Sequence, residues 1–335
     1  MSNQVVEQET TYSLDGAQDV MLAPVRGMDD RRKLPKELFV RRPLHFTIKF
    51  AVGLALIAAA YAVMALGLGW PATVAAIVVL GLMYAHLVEL QHECLHEHAY
   101  NRRWLNRAVG FVCGLFMLSS YSHYKYDHLR HHASLGKPDN REFFNYRFRH
   151  VDSWLGFVRA AYHFGRYVDV LRALAFSAIG RPIPNVKKGR DQKRIRTEYR
   201  LLLVYLLGMA GFTVLTRNPF FLLAWLLPLL VISEPTHFVI ELPEHFGLNT
   251  QTDANVLTNT RTINASRLAE WFTNYNNLHT AHHYHQGVPM VNVPRLSELE
   301  KPKFAALEGS YWSFYHKVIK GEIRYDDMGK TCMTR

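Results

Sequence analysis

Four apolar runs, each long enough to cross a lipid bilayer, constrain the fold of this chain more than any other feature. The runs cover residues 44–70, 71–90, 199–216 and 219–240. A helix needs about 20 apolar residues to span the hydrocarbon core, because each residue advances it by only about 1.5 Å. Tight turns at Trp70–Pro71 and at Arg217–Pro219 separate the members of each pair. The pattern predicts four transmembrane helices in two hairpins.

Basic residues flank these runs unequally. Several precede the first run, a dense stretch from Lys187 to Arg196 precedes the third, and the hairpin turns contain only Arg217. Because lysine and arginine collect in cytosolic loops, both termini and the long middle loop are expected in the cytosol. This topology accounts for the net charge of +11 and leaves no reason to expect a nucleic-acid partner.

The remaining segments complete the expected organisation. Residues 1–40 are polar and predict a disordered leader, residues 41–300 a membrane domain, and residues 301–335 a cytosolic C-terminal tail. Residues 106–121 predict a re-entrant or interfacial helix, and residues 151–179 a helix lying on the membrane surface. The fold class predicted is an all-α integral membrane protein with a cytosolic helical cap.

Histidines occur in clusters rather than singly. The chain has 18 of them, and three clusters have the spacing HxxxH, HxxHH and HxxHH. A fourth element, Glu241 to His245, follows the last apolar run. The clustered histidines are His92, His96, His128, His131, His132, His279, His282 and His283. Residues three and four apart share one face of a helix, so each cluster can direct its imidazoles to one point.

The predicted topology puts all four histidine elements on the cytosolic side of the membrane. With His245 they supply nine imidazoles, whereas a single zinc ion uses three or four protein ligands. The number therefore favours two metal ions. Imidazole binds iron, copper, nickel and zinc, so the ligand type alone does not choose the metal.

The order and spacing of these clusters resemble the three histidine boxes of the membrane fatty-acid desaturase superfamily, in particular its small bacterial members. The likeness extends from about residue 44 to residue 299. It implies a di-iron oxidoreductase that uses O2 as co-substrate to desaturate a fatty-acyl or similar aliphatic chain. Hydroxylation of such a substrate is the alternative on the same site. The iron ligands that it implies are His92, His96, His128, His131, His132, His245, His279, His282 and His283.

The resemblance also implies partners and a location. The sequence contains no HPGG motif of a fused cytochrome b5 domain, so the electron donor is expected to be a separate ferredoxin-like or cytochrome b5-like protein with its reductase. The protein is expected to lie in membrane lipid, in a bacterial inner membrane. Spacing alone suggests residues that orient the ligand rings, namely Glu89, Glu93, Asp127, Glu241 and Asn276.

Two other classes of protein fit parts of the pattern. His92–His96 also reads HExxH, the zinc-protease motif, with Glu93 as general base. That hypothesis leaves the other histidine clusters without a role. A histidine-lined metal transporter would need polar residues along its spans, which are apolar here. The basic stretch from Lys187 to Arg196 is open to an acidic electron donor, a phosphate group or anionic lipid.

Overall fold

The structure, a computed structural model, describes residues 34–325 apart from residues 139, 145, 147, 152 and 188. Most of the leader predicted at 1–40 and the end of the tail predicted at 301–335 lie outside the described residues. The described part is about 69% helical and has almost no strands, which confirms the predicted fold class. Its strands are β1 (Arg261–Ile263) and β2 (Ala306–Glu308), which pair in parallel.

The described part of the chain contains both long spanning helices and shorter ones between and after them. In chain order they are α1 (Pro43–Ala65), α2 (Trp70–Leu95), α3 (Arg103–Leu115), α4 (Tyr121–Ser134), α5 (Trp154–Ala161), α6 (Gly165–Ala178), α7 (Arg190–Thr216), α8 (Phe220–Pro228), α9 (Glu234–His245), α10 (Val256–Asn259), α11 (Arg267–Phe272), α12 (His279–Tyr284), α13 (Val293–Glu300) and α14 (Tyr311–Ile319). A π-helical turn, Leu229–Ser233, joins α8 to α9.

Four segments of the described chain are long and apolar enough to span a membrane. They are α1, α2, α7 and the continuous segment Leu222–His245. Their outer faces expose large apolar side chains, such as Leu207 at 61% and Leu215 at 86%. Lipid rather than water suits such surfaces, and a helix satisfies its own backbone hydrogen bonds within lipid. The four predicted spans, in two hairpins, are confirmed.

The ends of these helices differ from the predicted ends. The second run was expected to stop at residue 90 and the last at residue 240, yet the helices continue to Leu95 and His245. Most of the added residues are polar, and protein covers them wholly or in part, so hydropathy does not detect them as helical continuation. The first turn lies at residues 66–69, and Trp70 and Pro71 begin α2 instead, because proline fits the first turn of a helix.

The two hairpins approach each other closely at Gly81. A Cβ atom there would lie 2.3 Å from the Ile232 Cβ and 2.9 Å from the Pro228 carbonyl oxygen. The Ser233 hydroxyl donates to the carbonyl oxygen of Gly81 at 2.9 Å. Proline within the helix removes a backbone donor, which accounts for the irregular π turn that follows Pro228. Small residues allow such backbone contact between membrane helices.

The segments between the hairpins form the cap. The single surface helix expected over residues 151–179 is two helices, α5 and α6, which is a correction of that prediction. The break lets Tyr162 donate to the Val231 carbonyl oxygen at 3.2 Å, while Arg166 donates to the Glu234 carboxylate at 2.8 Å. Both contacts fasten the cap to the last span. The helix expected over residues 106–121 is α3, which begins earlier, at Arg103, and ends at Leu115.

The described part of the C-terminal region packs on the membrane body. Strand β2 pairs with β1 through Arg261 and Ala306, and Phe314 of α14 is fully buried. Tyr315 donates to the carbonyl oxygen of Val239 at 2.6 Å. The domain boundary at residue 300 stays a prediction.

Candidate metal centre

The first pair of histidines lies at the end of α2. His92 and His96 are one helical turn apart and face the same way. The chain then turns sharply at Glu97, whose φ of 59° is in the left-handed region. Lys125 and Arg103 bind the Glu97 carboxylate at 2.6 and 3.2 Å. These two ion pairs hold the turn that ends the helix directly after the ligand pair.

The second group lies on α4, whose first turn is fixed by a buried carboxylate. Glu198 of α7 accepts hydrogen bonds from the Ser122 amide at 2.7 Å and from the hydroxyl groups of Ser120 and Ser122 at 2.8 and 2.6 Å. Arg107 also donates to it, at 2.8 Å. A carboxylate suits a helix N-terminus, where backbone donors lack partners. The long third span thereby sets the position of His128 and its neighbours.

The remaining histidines come from the C-terminal half. His245 is the last residue of α9, and the third group lies on the short helix α12. Two left-handed residues, Asn274 and Tyr275, form the turn before that helix. Asparagine adopts this conformation more readily than most residues. Thus four separate segments bring their histidines to one region.

All nine predicted ligands lie in two groups that the structure brings together. Cluster one consists of His92, His96, His128, His132 and His282, and cluster two of His131, His245, His279 and His283. Within each cluster the candidate ligand atoms lie within 4.8 Å of one another, and every residue is buried. The clusters adjoin, since the His132 and His283 ring centroids are 4.1 Å apart.

The nitrogen atoms of cluster one converge too closely for hydrogen bonding alone. The His128 Nε2 lies 2.9 Å from the Nε2 atoms of His92, His96 and His132. A neutral imidazole has one N–H and one lone pair, so His128 can satisfy only one of these three contacts. Two nitrogen ligands at right angles, each about 2.1 Å from an ion, are about 3 Å apart. The donor set therefore fits a metal ion.

Cluster two has a similar core and better-supported rings. The His279 and His245 Nε2 atoms are 3.1 Å apart, and those of His131 and His283 are 3.4 Å apart. The His245 Nδ1 lies 3.0 Å from the Asn259 carbonyl oxygen. A carbonyl only accepts, so this nitrogen bears the proton and Nε2 is free to bind a metal.

Burial keeps these imidazoles ready for metal. It lowers the pKa of six of them that lie outside the spans, and neighbouring histidines lower the pKa of each further. The six are His96, His128, His132, His279, His282 and His283. A metal ligand must be unprotonated, so a lowered pKa preserves binding capacity at neutral pH.

One of the five residues suggested as ring-orienting groups contacts a clustered histidine. The Asn276 Oδ1 lies 3.1 Å from the His279 Nδ1. The other four face different partners. Glu89 and Glu241 lie 3.8 and 3.6 Å from His237, Asp127 lies 3.7 Å from His123, and Glu93 accepts from Asn274 at 2.9 Å. Helical spacing put them near the boxes, but Asp127 and Glu241 face a histidine one turn earlier on their own helix, and Glu89 and Glu93 face other segments.

Three further polar residues contact the clusters and were missed by sequence reasoning. The His131 Nδ1 lies 2.7 Å from the Glu142 Oε1 and 2.9 Å from the Asn140 Oδ1. The Glu244 Oε2 lies 3.4 Å from the His279 Nε2. Asn140 and Glu142 lie in an irregular segment that has no periodicity to reveal them, whereas the adjacency of Glu244 to His245 was a usable signal.

A cavity of about 300 Å³ lies beside α6. Its lining includes Glu142, which contacts His131, and the charged or polar side chains of Asp127, Arg141, Arg166 and Tyr199. The cavity is thus separated from cluster two by Glu142.

Comparison with known proteins agrees with this geometry. A family model described as fatty acid desaturase matches residues 68–315. The Delta(12)-fatty-acid desaturase of Arabidopsis thaliana is 25% identical over 252 residues, which is 67% of this chain and 64% of the relative. The acyl-lipid (9-3)-desaturase of Physcomitrium patens is 31% identical over 111 residues, or 32% of this chain and 20% of the relative.

A third relative is the bifunctional fatty acid conjugase/Delta(12)-oleate desaturase of Punica granatum. It is 32% identical over 106 residues, which is 28% of this chain and 25% of the relative. The chain thus spans less than two thirds of the length of each of these plant proteins. The family match covers most of the chain, including all nine clustered histidines, and it confirms the resemblance drawn from the histidine boxes. This chain belongs to the fatty acid desaturase family.

Proposed function

We propose that this chain is an O2-dependent di-iron oxidoreductase that desaturates a fatty-acyl or similar aliphatic chain. The observation that carries the proposal is the pair of adjoining clusters, one of five and one of four buried imidazoles, at the end of four apolar helices. Family membership and the names of the relatives support the reaction class. Hydroxylation of such a substrate remains the alternative, because both outcomes begin with removal of hydrogen.

The nine clustered histidines are the residues that would hold the metal. A bound pair of iron ions, with O2 and two electrons, supplies the oxidising power needed to remove hydrogen from an unactivated C–H bond. The chain's own part is to hold the imidazoles neutral, to orient them through Asn276, Glu142 and the Asn259 carbonyl, and to keep bulk water away. All nine are buried, with at most 7% of the residue surface exposed.

We further propose that the clusters lie at the cytosolic face. The basic residues Arg42, Lys187, Arg190 and Lys193 are exposed near the same ends of the spans that carry the histidines. That distribution favours a cytosolic position for both termini, in a bacterial inner membrane as the box sequences suggest. A separate electron donor, ferredoxin-like or cytochrome b5-like, would deliver electrons at this face.

The protease alternative has weaker support. Its general base would be Glu93, yet that carboxylate accepts a hydrogen bond from Asn274, which in turn binds the Lys49 ammonium at 2.6 Å. A carboxylate engaged in this way is poorly placed to activate water. The hypothesis also leaves cluster two without a role.

The test combines metal content with product analysis. The full chain is purified in detergent, its metals are measured by elemental analysis, and lipids are extracted from the expressing cells. About two irons per chain with a new unsaturated product supports the proposal, and a hydroxylated product favours the alternative. One zinc per chain, unchanged lipids and no uptake of Fe²⁺ under anaerobic reconstitution would contradict it.

A further inference from the structure

The surroundings of the two clusters are unequal. Within the described part of the chain, the Nδ1 atoms of four cluster-one histidines have no hydrogen-bond partner, and these are His92, His96, His132 and His282. In cluster two, by contrast, three Nδ1 atoms contact an oxygen, and these belong to His131, His245 and His279. The described oxygen donors therefore gather on one side of the centre.

Glu244 is the oxygen donor that comes closest to a metal-facing atom. Its Oε2 lies 3.4 Å from the His279 Nε2, the same ring nitrogen that lies 3.1 Å from the His245 Nε2. Its other oxygen, Oε1, accepts from the Asn276 Nδ2 at 2.6 Å. Asn276 also contacts the His279 Nδ1. One amide thus holds the imidazole and the carboxylate side by side, with a carboxylate oxygen directed at cluster two.

The charge of the centre gives that carboxylate a role. Two divalent ions held only by neutral imidazoles would put four positive charges in a buried site. Buried charge without a counter-charge is strongly unfavourable. Cluster two has four imidazoles where cluster one has five, so one oxygen ligand would equalise the donor number as well as reduce the charge.

We propose that Glu244 supplies a carboxylate oxygen to the ion bound by cluster two, so that the two ions have different ligand sets. This inference rests on the proposed function and extends it. One ion has five imidazoles, and the other has four imidazoles and a carboxylate. The second site therefore has a harder set of ligands, in the chemical sense, and a lower net charge than the first.

The two nearby carboxylates fit this role less well. The Glu142 Oε1 lies 2.7 Å from the His131 Nδ1, which is the ring atom opposite the converging one, and 3.8 Å from the His245 Nε2. It orients a ring instead of reaching the ion. Glu241 lies 3.6 Å from His237, which belongs to neither cluster. Glu241 therefore offers a matched control on the same helix.

The test is Mössbauer spectroscopy of the full chain reconstituted with ⁵⁷Fe²⁺. Two ligand sets predict two quadrupole doublets for the wild-type protein. Glu244→Gln keeps the shape and the contact with Asn276 but removes the charged ligand, so we expect one doublet to change and the other to persist. Removal of one of the two irons by a chelator should become on the order of tenfold faster. Glu241→Gln should leave both doublets and both rates as in the wild type.

Unchanged doublets and chelation rates in Glu244→Gln, or equal changes in both doublets, would overturn the inference. If that variant does not fold, infrared difference spectra of wild-type protein labelled with ¹³C-glutamate decide the matter. A labelled carboxylate band that shifts on loading with Fe²⁺ or Co²⁺, and that still shifts in the Glu142→Gln and Glu241→Gln variants, supports coordination by Glu244, and the absence of such a shift excludes it. A wild-type protein that takes up Co²⁺ but no iron contradicts the proposed function, and the infrared comparison still decides the role of Glu244.

Discussion

The His282 Nε2 lies 3.2 Å from the His132 Nε2, although 150 residues separate the two in the chain. The contact joins α12 to α4 and completes cluster one. A second long-range contact, His131 to His283, joins the same two helices within cluster two. The paired histidines of each HxxHH motif are therefore divided between the clusters, so α4 and α12 each contribute to both sites.

This division predicts selective loss of metal. His282→Ala removes a donor from cluster one and His131→Ala one from cluster two, so each should reduce metal content from about two ions toward one. Because the proposed oxidation needs both ions, activity should fall by at least about 100-fold in either variant. Elemental analysis and product formation measure these effects. His316→Ala, at an exposed position, is the control, and full activity in either ligand variant would refute its assignment.

Lys49 is a buried cation in the first span whose loss should destabilise the cap. Its ammonium donates to the Asn274 Oδ1 at 2.6 Å, and the Asn274 Nδ2 donates to the Glu93 Oε2 at 2.9 Å. Lys49→Met leaves the carboxylate buried without its counter-charge, at a cost of about 3 kcal/mol. Thermal unfolding in detergent measures the loss. Lys193→Met changes an exposed lysine and should have little effect.

A double variant makes the Lys49 prediction sharper. If the penalty comes from the uncompensated Glu93 charge, Lys49→Met combined with Glu93→Gln should be more stable than Lys49→Met alone. Strictly additive losses in the two variants would show instead that Lys49 acts only through packing against Trp271 and Tyr275, which lie beneath its ammonium.

Glu198 should be essential for the alignment of α4. Its carboxylate accepts hydrogen bonds from Ser120, Ser122 and Arg107, so Glu198→Ala leaves several buried donors without a partner. We expect a loss of about 3 kcal/mol of stability and reduced metal content, since α4 carries three ligands. Unfolding curves and elemental analysis test both effects. Glu298→Ala, at an exposed position, is the control, and a variant with wild-type stability and metal content would disprove the role.

Gly81 offers a test of whether the packing between the two hairpins affects metal binding at the clusters. A methyl group at this position would overlap Ile232, so Gly81→Ala should separate α2 from the π turn and cost about 1–3 kcal/mol. The same two helices carry His92 and His245, so iron should also be removed faster by a chelator. Gly208→Ala is the matched control, because no atom lies within 4 Å of the added methyl group. Equal chelation rates in the two variants would count against the coupling.

The lowered pKa values of the clustered histidines predict how the metal-free protein responds to acid. Six of them, His96, His128, His132, His279, His282 and His283, have a lower pKa in the folded chain than the 6.5 of the unfolded chain, so below pH 6.5 the unfolded state binds more protons. Stability should be constant above about pH 7 and fall as the pH drops through 6.5. The slope should approach about 1.4 kcal/mol per pH unit for each proton. A flat thermal-unfolding profile between pH 5 and 7 would contradict this.

Sequence reasoning identified the spans and eight of the nine clustered histidines because both follow short-range rules, whereas His245 came from its place after the last apolar run and from the family resemblance. Apolar length predicts a membrane helix, and spacings of three and four residues predict a shared helical face. Apolar length failed to predict the end of α2, which continues to Leu95 instead of residue 90. The last turn is polar because protein covers it rather than lipid. Sequence reasoning could not find Glu142, because an irregular segment has no periodicity and its contact with His131 depends on tertiary packing.

The division of each site among α2, α4, α9 and α12 also sets the order of events during synthesis. The first two spans and the second histidine box are synthesised before α12, yet cluster one lacks a donor until His282 has been made and cluster two until His283 has been made. Stable metal capture is thus postponed to the last stage of assembly. Before α12 is made, the histidines of α2 and α4 form only part of each cluster. An ion bound at that stage would have fewer ligands than in the finished site.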